Sequence, residues 1–279
     1  MTTLYLDRAD ALNAQNLALI ERLTTRLQET DGETLLLAEG DHYSVGGDVK
    51  SILRGYQQDP SYSHTYFSAK YALDRLWQAQ AGNRTQVQGY CLGGGMGLAM
   101  GSDHIAAKAN AVFAMPEVMI GMVPDCGMAV LLTDIIGPMA ELMLLTGLRL
   151  SAPQAFQLGL IDDLLDDVPL PDMSDWLKQA DVWSKLPLTA RWQQLPSFVE
   201  FTSEPSILAV VATYQHIKLY RNRTRADAMA AEVNLAANLM REGEFAEGIT
   251  AKLLEKRPAN FLYPEVRSVP PQMIDRLYG

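Results

Sequence analysis

Residues 86–100, Gln-Val-Gln-Gly-Tyr-Cys-Leu-Gly-Gly-Gly-Met-Gly-Leu-Ala-Met, lead from a short β-type run through a glycine cluster into an apolar helix start. A strand feeding a helix through glycine exposes backbone amides at the turn. It also commits that part of the chain to alternating α/β architecture. The flanking sequence agrees: Leu4 to Leu6, Thr34 to Ala38, Gln86 to Gln88, Ile105 to Ala107 and Val112 to Ala114 carry strand signals. Helical patterns fill the gaps, at Asn16 to Gln28, Tyr62 to Ala79, Gly127 to Ile136 and Ser151 to Leu158. The last is opened by a Ser151/Gln154 capping-box pattern.

From Pro169 the strand signal stops and Pro-punctuated helices follow, at Glu204 to Tyr220, Arg225 to Arg241 and Glu244 to Lys256. The expected organisation is an α/β core over 1–168 and a helical C-terminal region over 169–279. Met229, Val233, Ala236 and Met240 share one helix face, which needs a partner, and a second subunit is one candidate.

Composition narrows the function classes. The formal net charge of -10 and the absence of a basic stripe argue against nucleic acid. The longest apolar stretch, Val118 to Ile136, is broken by Pro124 and Asp125, so no membrane span is expected. Met1 to Asp10 lacks the apolar segment of an export signal, which leads to an expectation of cytoplasmic residence. Cys91 and Cys126 are too few for a disulfide framework and are expected as buried thiols. His42, His64, His104 and His216 show no metal-ligand spacing, so no metal is expected.

Two glycine loops carry the chemistry. In Leu92-Gly93-Gly94-Gly95, amides opening a helix favour an anion or oxyanion. In Val45-Gly46-Gly47-Asp48 the layout repeats, with Asp48 placed to cap a short helix. A plain turn is the competing reading of a lone Gly-Gly. Neither loop fits the dinucleotide fingerprint, because Leu98 stands where a third glycine is required, and no Walker A sequence occurs.

Downstream, Glu117 and Asp125 lie in an apolar stretch, each directly after a proline. Apolar surroundings raise carboxyl pKa values, and such a pair can keep one acid protonated and the other ionised for proton transfer or water activation. An acid after proline is equally the first turn of a helix answering the dipole.

In order along the chain, Leu6-Asp-Arg-Ala-Asp-Ala-Leu-Asn-Ala, Val45-Gly-Gly-Asp, Gly89 to Leu98 and Glu244 to Pro258 resemble the crotonase (enoyl-CoA hydratase/isomerase) superfamily. That resemblance implies a spiral of ββα units with a C-terminal helical trimerisation region, assembled as a homotrimer or hexamer. The implied substrate is an acyl-CoA, with coenzyme A as part of the substrate and no permanently bound cofactor. It also implies that the amides of Gly47 and Gly94 form an oxyanion hole for the thioester. Glu117 and Asp125 become the catalytic carboxylates, Glu117 as base or nucleophile. Ala11, Leu12, Gly46, Asp48 and Val49 would line the coenzyme A, with Lys256 and Arg257 as the source of positive charge, in this chain or a neighbouring subunit.

Within the superfamily, Gly-Gly-Gly-Met-Gly-Leu, Met-Pro-Glu and Pro-Asp-Cys-Gly are most similar to the 3-hydroxyisobutyryl-CoA hydrolase branch. That favours hydrolysis of a short-chain 3-hydroxyacyl-CoA, with hydration or isomerisation as the alternative. Hydratases carry a glutamate, and dienoyl-CoA isomerases an aspartate, where this chain has Gly97. Lys70 stands where the hydrolases often have a substrate-binding glutamate, and Asp10 replaces a residue that is frequently basic.

Two rival readings are distinct in class. Gly89-Tyr-Cys-Leu-Gly also resembles the cysteine nucleophile elbow of the dienelactone hydrolases, which would make Cys91 catalytic with His216 as its base. A non-catalytic acyl-CoA binder on the same frame would need no carboxylate chemistry.

Overall fold

The computed structural model describes residues 1–201 and 203–279, and the chain divides into two compact units. The first comprises residues 1–55, 65–114 and 149–171; the second comprises 56–64, 115–148 and 172–279. The division is therefore not a single cut along the chain. The stretch holding Glu117 and Asp125 packs with the C-terminal helices.

The strands are β1 (Thr2–Leu6), β2 (Thr34–Ala38), β3 (Arg84–Val87), β4 (Tyr90–Leu92), β5 (His104–Ala107), β6 (Val112–Ala114), β7 (Leu150–Ser151) and β8 (Asp163–Leu164). The helices are α1 (Leu17–Gln28), α2 (Val49–Gln58), α3 (Tyr62–Gln78), α4 (Gly94–Ala99), α5 (Met128–Ile136), α6 (Pro138–Thr146), α7 (Ala152–Gln157), α8 (Ser174–Ser184), α9 (Leu188–Gln193), α10 (Ile207–Tyr220), α11 (Arg225–Arg241), α12 (Glu244–Ile249) and α13 (Pro271–Tyr278).

All strands belong to the first unit. A parallel five-stranded sheet runs in the order β1-β2-β3-β5-β8, and β4-β6-β7 form a second sheet in which β7 is antiparallel. Leu4 and Leu6 point inward while Tyr5 between them is exposed, the two-residue alternation of a half-buried strand. Helix α1 buries Leu19, Ile20, Leu23 and Leu27 on one stripe, and Asn16 caps it by accepting from the Leu19 amide at 2.9 Å. The capping box at Ser151 and Gln154 is formed, as its spacing predicts. β4, β7 and β8 escape the sequence reading because each is two or three residues long, too short for a periodic signal.

In the second unit α6 is buried on nearly every side, from Met139 to Thr146, against α5, α8 and α10. A helix apolar all round belongs at the centre of a bundle. Helix α11 packs on α5, α12 and α13, which bury Met229, Ala236 and Met240. Of the partners that face could take, the chain's own helices supply the cover at these three positions, while Val233 stays partly exposed. The predicted helix at Glu244 to Lys256 also changes character, with α12 passing into a π-helical turn at Thr250–Glu255.

Candidate functional site

Two constellations of functional groups are present, one in each unit.

In the first unit, the β4 strand delivers the chain to Gly93, whose amide donates to Ala114 O at 2.9 Å before α4 begins at Gly94. The first loop is pinned beside it. Gln15 N donates to Gly46 O at 2.7 Å, Asp48 N donates to Gln15 O at 3.0 Å, and the Tyr66 hydroxyl donates to the same Gln15 carbonyl at 2.7 Å. Gly46 has φ +88°, and a Cβ there would lie 2.9 Å from Leu92 O and 3.1 Å from Gly94 N, so only glycine lets the two loops touch. A Cβ on Gly94 would lie 3.7 Å from Gly47 N. Neither the Gly47 nor the Gly94 amide donates a hydrogen bond among the described residues. Two adjacent unfilled donors, one opening a helix, form an anion-stabilising pair.

The same corner holds polar groups that sequence reasoning did not assign. The space in front of Gly94 is bordered by Lys70 Cε at 3.2 Å and Gln15 Oε1 at 3.7 Å from the position a Cβ would take. Lys70 is buried and paired with Asp74 one turn along α3. Gln15 Oε1 and Asp74 Oδ2 are buried acceptors without a donor among the described residues. Unfilled buried acceptors invite a donor from a ligand or water.

Of the residues proposed to line coenzyme A, Asp48 caps α2 by accepting from Ser51 N at 3.1 Å and pairs with Arg8 at 3.0 Å. Arg8 also donates to Ala14 O, a role not anticipated from sequence. Ala11 closes a short 3-10 turn and Leu12 follows it at φ +51°, partly exposed, accepting from Val45 N at 3.1 Å. Val49 opens α2. In the second unit Lys256 is exposed at φ +57°, while Arg257 is held by Glu247 and Glu255, each at 2.6 Å, so its charge is already answered locally.

The second unit assembles the carboxylates. Glu117 stands in the first turn of a 3-10 helix, Glu117–Ile120, directly after Pro116, so the helix-start reading of the Pro-acid pair holds here as well. Its Oε2 is buried without a hydrogen-bond partner among the described residues. Burial drives the Glu117 carboxyl well above the ordinary glutamate range, and the charges of Asp125 and then Glu232 push the same way, against a hydrogen bond from its own backbone. Asp125 is nearly buried and accepts from Cys126 Sγ at 3.3 Å. The turn behind it is strained: Cys126 has φ +60°, a left-handed conformation rarely adopted by a residue with a side chain.

Three partners hold this region; Glu232 and Lys252 were not singled out from the sequence, and His216 was raised only as a base for Cys91. Glu232 of α11 accepts from Gly127 N at 2.9 and 3.2 Å through its two oxygens, and His216 Nε2 of α10 lies 3.0 Å from Glu232 Oε1. Lys252, on the π-helical turn, donates to Met119 O at 2.6 Å and to Ser203 Oγ at 3.1 Å, and also to Glu204 O. Its burial lowers the ammonium to about 8. One signal was available. Glu232 falls among Ala228, Met229, Leu235, Ala236 and Leu239, so an acid sits on the buried face of an apolar stripe. Among the described residues no cluster of His, Cys, Asp and Glu has the geometry of a metal site, and no helix is long and apolar enough to cross a membrane.

The cysteine-elbow reading is overturned. Cys91 lies inside β4, fully buried in a parallel pairing with Phe113, and burial pushes its thiol far up rather than activating it. His216 is engaged by Glu232.

The sequence matches the enoyl-CoA hydratase/isomerase family over residues 1–205 and again over 191–278. It is 30% identical to the mitochondrial enoyl-CoA hydratase of Pongo abelii over 266 residues, covering 92% of this chain and 82% of that protein. It is 29% identical to the mitochondrial 3-hydroxyisobutyryl-CoA hydrolase of Gallus gallus over 175 residues, 60% of this chain and 46% of that one. The chain thus spans less than half the length of that hydrolase. In fold it superposes on an enoyl-CoA hydratase from Rhodobacter sphaeroides with a TM-score of 0.89 at 22% identity, covering 99% of this chain and 94% of that one. A carnitinyl-CoA dehydratase from Mycobacterium thermoresistibile gives the same TM-score at 18% identity, covering 99% and 93%. With paired glycine amides, a buried Glu/Asp pair, an α/β core and a family match that runs the length of the chain, the protein belongs to the enoyl-CoA hydratase/isomerase, or crotonase, superfamily.

Proposed function

We propose that this crotonase-type protein, an acyl-CoA-processing enzyme, hydrolyses a short-chain 3-hydroxyacyl-CoA thioester. The observation that carries the reading is the Glu117–Asp125 pair with no carboxylate in α4, whose residues are Gly94-Gly-Met-Gly-Leu-Ala. Hydration in this family draws on a second glutamate where Gly97 stands, so the usual hydratase pair is incomplete, whereas hydrolysis needs one base and a placed water.

In the reaction, the thioester oxygen accepts from the Gly47 and Gly94 amides. A water oxygen attacks the carbonyl carbon while its proton passes to ionised Glu117. The carbonyl electron pair moves onto the oxygen, where the two amides stabilise it. Collapse restores the carbonyl, breaks the carbon–sulfur bond, and the departing thiolate takes the proton back from Glu117. Asp125 orients the water or the substrate hydroxyl, and its charge couples the two titrations. The unfilled acceptor Gln15 Oε1 beside Gly94 favours an acyl group that carries a hydroxyl donor.

A panel of acyl-CoA esters, followed both for free thiol and for absorbance at the enoyl group, tests this. Thiol release with a 3-hydroxyacyl-CoA is expected, and none from any member of the panel would overturn the hydrolase reading. Enoyl absorbance changes alone would favour the alternative, hydratase or isomerase, which the match over 92% of the chain to an enoyl-CoA hydratase supports. Cys91→Ala should leave turnover unchanged in the same assay. Assembly as a trimer or a pair of trimers is the companion proposal, measured by light scattering in solution.

A further inference from the structure

We infer that Glu232, held in place by His216, is a positioning residue that clamps the 125–127 turn and thereby orients Asp125. The inference rests on the reading that the Glu117–Asp125 pair is catalytic, and it adds two residues to which no role has been given.

The geometry is specific. Glu232 is fully buried, and both of its oxygens lie within reach of a single backbone amide, that of Gly127. That amide follows Cys126 at φ +60°, and Gly127 itself has φ +67°. Two successive left-handed residues do not hold themselves, because each loses its conformation unless the surroundings impose it. From the other side, Arg225 Nε donates to Cys126 O at 3.0 Å. The turn is thus fixed at consecutive groups by an acid and a base from α11. Behind Glu232 stands His216, also buried. Its ring lies between Tyr220 and Tyr278, with centroids 4.6 and 6.2 Å away, and its Nδ1 has no partner among the described residues. A buried carboxylate kept only to tie one amide is an expensive structural device, since its desolvation exceeds what that hydrogen bond returns. A second role makes its retention intelligible.

That role is electrostatic. Glu117 is fully buried, and the charge of Glu232, with that of Asp125, opposes its ionisation. The charged and titratable groups on the elements packed here are Asp125 and Cys126 on the turn, Arg225 and Glu232 on α11, His216 and Tyr220 on α10, Tyr278 on α13, Lys252 on the π-helical turn, bonded to Met119 O, and Glu244 on α12. The last is occupied by Ser206 Oγ and Leu262 N. The sign follows directly. Removing the Glu232 charge makes the Glu117 anion less unfavourable, so Glu117 ionises at lower pH. As Glu117 acts in its ionised form, the acidic limb of the kcat profile moves to lower pH.

The decisive variant is Glu232→Gln, which keeps an oxygen for the Gly127 amide and deletes the charge. Glu117 is followed without turnover through the infrared band of its protonated carboxyl, identified by its disappearance in Glu117→Gln, and in parallel through kcat against pH. The expected result is a midpoint displaced to lower pH in both readouts, with KM changed less than about threefold. His216→Gln, which loosens the clamp, is expected to lower kcat by roughly tenfold to a hundredfold, the scale of a slight misplacement of reacting groups. A Glu232→Gln protein whose carboxyl band titrates as in the wild type overturns the inference, whatever His216→Gln does. If His216→Gln does not fold, the Glu232→Gln titration decides alone. A displaced band in a protein that releases no thiol removes the hydrolase reading and sustains the positioning role.

Discussion

Glu117→Gln is expected to reduce turnover of the best thioester by about 10²–10⁴-fold, the range over which a positioned general base acts. Glutamine matches glutamate in shape, so KM for the same ester should stay within a few-fold and kcat should carry the loss. The substitution should also stabilise the folded chain, and the direction depends on pH. In the fold the Glu117 carboxyl holds its proton to higher pH than in the unfolded chain, because burial and two neighbouring carboxylates disfavour its anion. Stability is therefore unaffected by this group below the unfolded value of about 4.3 and falls as pH rises from there towards the folded midpoint. Glutamine removes that loss. Thermal melts should show equal midpoints at pH 4 and a higher midpoint for the variant at pH 8. A variant with wild-type kcat would remove Glu117 from the chemistry. It would also leave the non-catalytic binder as the better account of the frame.

Gly94→Ala is the second large effect, expected to cost about 10²–10³-fold in kcat, the scale of losing one oxyanion donor. Its backbone needs nothing that only glycine provides, since α4 starts there in ordinary helical conformation. The cost is in space. A methyl group at 94 would stand 3.2 Å from Lys70 Cε and 3.7 Å from Gly47 N, in the gap that the two amides share. The variant should fold, because the long Lys70 side chain can give by a few tenths of an ångström, yet it should fail to hold a thioester oxygen. Steady-state kinetics beside a thermal melt separates these outcomes. Combining it with Glu117→Gln then asks whether amides and carboxylate act on one bond. Losses well short of additive would mean they work as a unit, whereas fully additive losses would mean separate roles.

The buried groups share a logic. Among the described residues Glu117 Oε2, Gln15 Oε1 and Asp74 Oδ2 have no hydrogen-bond partner, the Cys126 turn is strained, and His216 and Glu232 are buried against each other. Each of these is unfavourable for folding alone. They are concentrated in two small regions, the ones proposed to carry the chemistry, as expected of a site built at the expense of stability.

Much of this was legible in the sequence. Period-two and period-3.6 patterns located β1, β2, α1, α3, α5 and α11 within a few residues, because each is long enough to expose a face, and α1 and α11 are opened by side-chain caps at Asn16 and Thr224. The glycine loops and the carboxylate pair announced themselves because both rest on local backbone chemistry: amides at a helix start, acids in an apolar run. Family resemblance then narrowed the anion site to the proposed thioester oxyanion hole. Short strands were invisible, since three residues of β4 carry no period. The π-helical turn was equally hidden, because Thr250 to Glu255 has ordinary helical composition.

What the sequence determined on its own, then, was the class of fold, the two amide loops and the identity of the acids, all encoded in contiguous residues. Only the tertiary structure decided which acids are buried together. Glu117, Asp125, His216 and Glu232 are spread over 116 positions, and their coupling depends on how α10 and α11 pack behind the 125–127 turn. It also decided that the apolar face of α11 is covered by its own chain at Met229, Ala236 and Met240 and that Lys70 answers Asp74 beside Gly94. Burial and charge proximity are properties of the packed chain, so no window of sequence contains them.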